Sequence, residues 1–178
     1  MCKRQIRNLK HIIPMKLIKY FFGLVLIVNI SSYSTMGQSI FNNAFVDIEG
    51  NEVQLSEMKG EKLTVLDFWA TWCKPCIKSI PKLIQLSEEF KGSGVNFIGV
   101  NVDSPRNSSK VKPFSYSLGI TYPVILDNEQ VLMNDLLINS LPTLIIVNSE
   151  GEVIYTHVGY SNNDEIILKQ KIEALLNG

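Results

Sequence analysis

Apolar runs and amphipathic stretches alternate through the middle of the chain. Residues 64–69 (TVLDFW) and residues 95–102 (VNFIGVNV) predict two buried strands. Between them, apolar residues recur at helical spacing, which predicts a helix that begins near Cys73 and is kinked at Pro81. Strands and helices are therefore expected to alternate in this part of the chain.

Hairpin patterns lie on both sides of this unit. Residues 45–49 and 52–55 flank a Gly-Asn pair, which predicts an N-terminal hairpin. Residues 143–147 and 153–158 predict a second hairpin near the end of the chain. Alternating strands and helices followed by an antiparallel hairpin predict a three-layer α/β/α sandwich on a mixed central sheet.

Four helical segments and one short strand complete the predicted pattern. Residues 56–60 are expected to form one capped helical turn that ends at a glycine. In residues 104–119, Pro113 marks either the start of a helix or a bend in it. The other predicted elements are a strand at 123–126 and helices at 129–138 and 164–176.

The start of the chain differs from the rest in charge and hydropathy. Residues 1–37 hold six Lys or Arg and no acid, and their apolar run at 20–30 is too short to span a bilayer. This pattern predicts a secretory signal peptide, whose cleavage after Gly37 would leave residues 38–178 as the domain. An uncleaved N-terminal anchor is the alternative. Met15 offers a second start, because a complete signal follows it.

The predicted exported domain is acidic. Residues 38–178 hold 17 acids and 11 bases, a net charge near −6, although the whole chain sums to zero. A nucleic-acid partner would require a basic face, so none is expected. The hydrophobic content of 46% is typical of a globular protein.

Removal of the signal would leave two cysteines, Cys73 and Cys76, in a CxxC pair. A disulfide that closes so short a loop adds little stability, so a structural staple is a poor explanation. A structural zinc site needs four ligands, and the domain offers only His157 besides this pair, so no metal is expected. Covalent haem attachment needs CxxCH, and Ile77 stands where that histidine would be.

The segment from Asp67 to Cys76, written DFWATWCKPC, resembles the active-site segment of the thioredoxin superfamily. The aspartate lies six residues before the first cysteine, as it does in that family. Pro81 matches the family's kink proline, and Leu141-Pro142-Thr143 matches the loop that carries its cis-proline. The resemblance covers residues 41–178 and implies a thioredoxin-like fold.

The predicted signal, the N-terminal hairpin and a central α/β insertion at residues 104–127 resemble the exported branch of this family. That branch includes the thiol-disulfide oxidoreductases of the ResA and TlpA type. Lys74 departs from the Gly-Pro dipeptide of the cytosolic proteins and from the acidic residue of some ResA-like proteins. The redox potential and the choice of partner are therefore left open.

The position of the first cysteine predicts its role. At a helix N-terminus, the helix dipole and free backbone N–H groups favour a thiolate, and Lys74 adds a neighbouring cation. Cys73 is therefore the predicted attacking, solvent-facing thiol, and the more buried Cys76 is the predicted resolving thiol. Pro75 costs little at an early helical position and stiffens the turn. Lys74 and Pro75 are thus the expected redox-tuning residues.

Asp67 is the one acid in an apolar strand. Burial should raise its pKa, so that it can accept a proton near neutral pH. The resemblance implies that this proton comes from Cys76. The alternative is that Asp67 points to solvent at a sheet edge.

The resemblance also implies a substrate-binding face beside the dithiol. Pro142, with a cis bond, would pack against the two cysteines, and Leu141 would offer its backbone to an extended substrate segment. Trp72 is expected at this binding face, whereas Trp69 is expected in the core.

These features together predict an exported protein-disulfide oxidoreductase, located in the periplasm or cell envelope. Its expected direction is reduction of protein disulfides, with cytochrome c maturation as a candidate pathway and a membrane protein as electron donor. The redox-active Cys73–Cys76 pair would be its only cofactor, and the protein is expected to be a monomer. A thiol peroxidase of the same fold and a non-catalytic binding module are the alternatives.

Overall fold

A computed structural model describes residues 40–178. The predicted signal peptide at 1–37, its cleavage and the alternative start at Met15 lie outside these residues. Within residues 40–178, we find no helix of the length and hydropathy that a bilayer crossing requires.

A seven-stranded mixed sheet organises the described part of the chain. Its spatial order is β2-β1-β5-β4-β3-β6-β7. The three strands β3, β4 and β5 pair in parallel, whereas the β1–β2 and β6–β7 hairpins add antiparallel strands at the two sides. The strands are β1 Ala44–Asp47, β2 Glu52–Gln54, β3 Leu63–Trp69, β4 Val95–Asn101, β5 Val124–Leu126, β6 Thr143–Asn148 and β7 Val153–Val158.

Helices connect and cover these strands, as the α/β sandwich prediction requires. The helix α2 follows β3 directly, and α5 closes the chain and contacts α2. The helices are α1 Leu55–Met58, α2 Lys74–Glu89, α3 Ser108–Leu118, α4 Val131–Asp135 and α5 Asp164–Asn177, with a 3₁₀ turn at Pro105–Asn107.

The strand β3 lies at the heart of the fold, because β4 and β6 flank it and all seven of its residues are buried. Its side chains contribute to two apolar clusters. Leu66 and Phe68 belong to the cluster that also contains Cys73 and Cys76. Leu63 and Val65 belong to the second, whose members from α2 and α5 are Leu83, Leu86, Leu168 and Ile172. A side chain on β3 is therefore far from bulk water unless a cavity reaches it.

Two predicted helices differ from the structure. The helix α3 begins at Ser108, so Pro113 does not start it. Pro113 lies in the second turn, where its missing N–H removes only the bond to the carbonyl of Ser109. The helix α4 ends at Asp135 instead of residue 138, and Leu137 adopts a left-handed φ of 55° just beyond it, a conformation that stops a helix.

The predicted helical turn at 56–60 forms one residue earlier, at Leu55–Met58, and Ser56 does not cap it. Gly60 was expected to end this helical turn, but the structure shows a close backbone approach there. A Cβ atom on Gly60 would lie 2.0 Å from the carbonyl oxygen of Leu63, so only glycine lets the chain approach β3 this closely.

Candidate active site

Cys73 and Cys76 form a disulfide at the start of α2, with 5.3 Å between their Cα atoms. Cys73 is the N-cap residue of this helix, and its Sγ accepts a 3.2 Å hydrogen bond from the backbone N–H of Cys76. A free N–H of the first helical turn thus points at the sulfur, which favours negative charge there.

The two cysteines differ in exposure less than we expected. Cys76 is fully buried, and Cys73 exposes only 4% of its surface. The expectation that Cys73 faces solvent is therefore wrong for the disulfide form. Cys73 is still the more exposed residue of the pair.

The residues around the pair divide into a core group and a surface group. Trp69 is completely buried, as predicted, whereas Trp72 exposes 65% of its surface beside Cys73. Lys74 and Pro75 occupy the first two positions of α2 and are exposed. The aromatic ring of Trp72 and the cation of Lys74 thus lie on the surface on either side of Cys73 in the sequence.

Asp67 is buried in β3, so the alternative of a solvent-facing carboxyl at a sheet edge is wrong. Its carboxylate Oδ2 accepts a 3.1 Å hydrogen bond from the hydroxyl of Tyr122, which is itself buried. Burial raises the pKa of Asp67 to about 7, and the Tyr122 hydrogen bond opposes this rise. A proton can therefore enter or leave this carboxyl near neutral pH.

The peptide bond between Leu141 and Pro142 is cis, as the resemblance implied. Pro142 is buried, and its carbonyl accepts a 2.8 Å hydrogen bond from the N–H of Gly159. Leu141 is half-buried and packs against the apolar cluster that contains both cysteines. The loop before β6 therefore packs on the same apolar cluster as the start of α2.

A small cavity connects these parts of the site. It has a volume of about 40 Å³, and both Asp67 and Pro142 line it. Ser79 lines it too, and its hydroxyl donates a 2.9 Å hydrogen bond to the Cys76 carbonyl. Asp67, the cis-proline and the turn after Cys76 thus share one space.

Asp103 is a buried residue of the site that the sequence analysis missed. Its carboxylate accepts hydrogen bonds from the backbone N–H of Thr71 at 2.7 Å and from the Thr71 hydroxyl at 2.8 Å. Asn101 donates a third bond at 2.9 Å and accepts one from the Asp103 N–H at 3.1 Å. The loop that leads to Cys73 is therefore held to the end of β4.

We call the hydrogen bonds between Asp103 and Thr71 a clamp, and a signal for it is present in the sequence. Asp103 follows a predicted strand, as the loop of Thr71 does, and the ends of neighbouring parallel strands meet at one edge of a sheet. Tyr122 has no such signal, because it reaches Asp67 across 55 residues of sequence.

His157, the histidine weighed as a zinc ligand, pairs with Asp164 instead, with 2.9 Å between Nε2 and Oδ2. No cluster of three or more metal-ligating side chains occurs among residues 40–178.

Comparison with known proteins places the chain in a family. The family model described as Redoxin matches residues 36–176. The chain is 32% identical to the thiol-disulfide oxidoreductase ResA of Geobacillus kaustophilus over 131 residues, 74% of either chain. Among solved structures, StoA from Bacillus subtilis is 28% identical with a TM-score of 0.61, covering 72% of this chain and 93% of its own. The thioredoxin domain of a thiol-disulfide oxidoreductase from Bacteroides vulgatus is 25% identical, with a TM-score of 0.63. This match covers 76% of the present chain and 93% of the Bacteroides domain.

Proposed function

Because the chain belongs to the Redoxin family and is a ResA-like protein-disulfide oxidoreductase of the thioredoxin superfamily, we propose that it works as an exported reductant of protein disulfides. In this proposal Cys73 attacks, Cys76 resolves, and Asp67 accepts the proton of Cys76. The observation that carries it is a CxxC disulfide whose first sulfur caps α2, in a chain that also buries Asp67, a carboxyl whose pKa is about 7. The helix N-cap position favours the thiolate form of Cys73, and Asp67 is a base that can accept a proton near neutral pH.

The reaction starts from the reduced dithiol. The Cys73 thiolate attacks one sulfur of the substrate disulfide, a mixed disulfide forms, and the other substrate sulfur leaves as a thiolate. Cys76 then loses its proton to Asp67 and attacks Cys73 Sγ. The Cys73–Cys76 bond forms, the second substrate sulfur leaves, and both substrate thiolates take protons from water. Two electrons have passed from the protein to the substrate.

Substrate binding is assigned to the surface beside Cys73. Leu141 would pair its backbone with an extended substrate segment, as an added strand does, and Pro142 would hold that backbone against the disulfide. Trp72 offers an exposed aromatic ring, which suits an unfolded partner better than a small molecule. Lys74 and Pro75 tune the potential at the start of α2.

The cellular setting is part of the same proposal. The protein acts outside the cytoplasm, in the periplasm or cell envelope, after cleavage of residues 1–37 or while tethered by them. It is a monomer that needs no cofactor beyond its own disulfide, and a membrane protein recharges it. Apocytochrome c is a candidate substrate, since its haem-binding cysteines must be reduced before haem attachment. The basic N-terminal segment and the ResA-like relatives support this setting.

The equilibrium redox potential of the Cys73–Cys76 pair tests the direction. Equilibration of residues 38–178 with glutathione should give a value well below that of the glutathione pool, so that the protein is a reductant. A strongly oxidising potential would overturn the proposal. Insulin reduction and peroxide consumption, measured side by side, distinguish this activity from that of a thiol peroxidase.

The order of attack has its own test. Cys76→Ser should accumulate a mixed disulfide between Cys73 and a substrate, because the resolving sulfur is missing. Cys73→Ser is the matched control and should trap none. Equal trapping by both variants would contradict the assigned roles.

A further inference from the structure

The cavity beside Asp67 is lined by buried polar residues, by partly exposed charged residues and by apolar residues. Asp67 and Ser79 are buried, whereas Glu165 and Lys82 expose 24% and 42% of their side chains. The apolar residues are Leu83, Pro142, Leu144 and Leu168.

The cavity has room for water, and although its lining is mostly apolar, oxygen-bearing side chains reach it. A water molecule occupies roughly 10–15 Å³ by this measure, so a cavity of about 40 Å³ has room for about three. A buried water also needs two to four polar partners. Asp67, Ser79 and Glu165 supply oxygen atoms for such a chain.

Glu165 stands out among the charged residues that line the cavity. Its Oε1 lies 3.4 Å from the ammonium of Lys82, but its Oε2 is buried and has no hydrogen-bond partner among the described residues. Such a buried acceptor is costly unless something binds it.

The other titratable groups that line the cavity are less suited to carry a proton. His157 and Asp164 are occupied with each other, and Asp164 Oδ2 also accepts from the N–H of Ser161 at 2.5 Å. Lys82 forms an ion pair with Glu165, and the remaining titratable group is the phenol of Tyr160. Outside the cavity, Tyr122 donates to Asp67 from within the core.

We propose that this cavity is the route by which the Asp67 proton exchanges with solvent, and that Glu165 is the group that passes the proton at its mouth. The inference rests on the proposed function, in which Asp67 receives a proton from Cys76 and must later release it. The proton moves from the Asp67 carboxyl through water to Glu165 Oε2 and then to bulk water. Asp67 is left as a carboxylate, ready for the next proton.

The rate of proton exchange at Asp67 can be measured without any disulfide chemistry. The side-chain ¹³C carboxyl resonance of Asp67, followed by relaxation dispersion near the midpoint of its titration, reports this rate in the oxidised protein. Glu165→Gln keeps the size of the side chain but removes the carboxylate that can take up a proton. It should slow the exchange about tenfold, less than the 10²–10⁴-fold of a direct acid–base catalyst, because water at the mouth still accepts protons. Added acetate, a small base, should restore the rate.

Glu89→Gln is the matched control. Glu89 pairs with Lys169 and so forms a second ion pair between α2 and α5, but it does not line the cavity. An effect common to both variants would mean that helix packing is responsible, and an unchanged rate in Glu165→Gln would also overturn the route. The proposed function fails separately, if Asp67→Asn reduces insulin as fast as the unaltered protein does from pH 6 to pH 8.

Discussion

The hydroxyl of Tyr122 lies 3.1 Å from Oδ2 of Asp67, and both side chains are buried. The tyrosine is the donor, because burial and the neighbouring carboxylate hold its own pKa well above the usual value. The bond therefore stabilises the charged form of Asp67 and limits how far burial raises its pKa. Tyr122 thus adjusts the pH range in which Asp67 can work.

Removal of this hydroxyl should shift the pH dependence of disulfide reduction. In Tyr122→Phe the carboxylate loses a donor, and a hydrogen bond to a charged group is worth about 1.5–3 kcal/mol. The pKa of Asp67 should rise by about one unit or more, and the midpoint of the pH–rate profile with it. Tyr116→Phe is the control, since Tyr116 is exposed and bonds to Glu49. Equal midpoints in both variants would contradict the assignment.

The buried carboxyl should also make stability depend on pH. The pKa of Asp67 is about 7 in the folded protein and near 3.8 in the unfolded chain. Between these values the folded state binds more protons, so the free energy of unfolding should fall as pH rises from about 4 to 7. The total loss is roughly 4 kcal/mol, since each unit is worth about 1.36 kcal/mol.

Asp67→Asn isolates this effect. Urea unfolding of the oxidised protein should show the variant to be more stable than the unaltered chain at pH 8.5, by about 2–4 kcal/mol. The difference should disappear below about pH 3, where the carboxyl is protonated in both states. A constant difference across this range would show that charge burial is not the cause.

Local patterns predicted most of the fold, because the apolar run in β3 and the helical spacing in α2 depend on neighbouring residues. The positions of Asp67, Cys73 and Pro142 followed from a family motif. The contacts of Tyr122 and Glu165 could not be predicted in this way, because each reaches the site from a distant element through packing. The bounds of α4 were also missed, since Leu137 adopts a left-handed conformation that its residue type does not favour.

The clamp between Asp103 and Thr71 should support both stability and activity. Asp103→Asn puts an amide N–H₂ group where the carboxylate accepts two bonds from Thr71 and one from Asn101. The loss should be about 2–3 kcal/mol in urea unfolding, with slower insulin reduction because the loop before Cys73 loosens.

A double-mutant cycle with Thr71→Val measures the pair directly. The two changes should be less than additive by about 1 kcal/mol or more, because either one removes the same hydroxyl bond. Asp135→Asn, on the exposed face of α4, is the control and should change little. Fully additive losses would show that the Thr71 hydroxyl and Asp103 do not act together.

Gly99 is the residue of β4 that lies opposite Asp67 in the sheet. A Cβ atom there would lie 3.1 Å from Val124 Cγ2 and 3.3 Å from the ring of Tyr122. Gly99→Ala should therefore destabilise the protein by about 1–3 kcal/mol through overpacking. The displaced ring should also weaken the bond to Asp67, so the pH–rate midpoint should move in the same direction as in Tyr122→Phe. A midpoint that moves the other way would contradict this link.

The exposed Lys74 should make the protein less reducing than an acidic residue at this position would. It occupies the first position of α2, next to Cys73, and a cation there stabilises the thiolate of the reduced form. Lys74→Glu should therefore lower the redox potential by about 10–20 mV, because 30 mV corresponds to about 1.4 kcal/mol and exposed charges contribute less than this. Lys78→Glu is the control: Lys78 is also exposed but lies one turn further along α2, so the same change of charge should shift the potential less.

Because salt screens exposed charges, the difference between the two variants should shrink in 1 M salt. Equal shifts from both positions would show that net charge, and not proximity to Cys73, sets the potential.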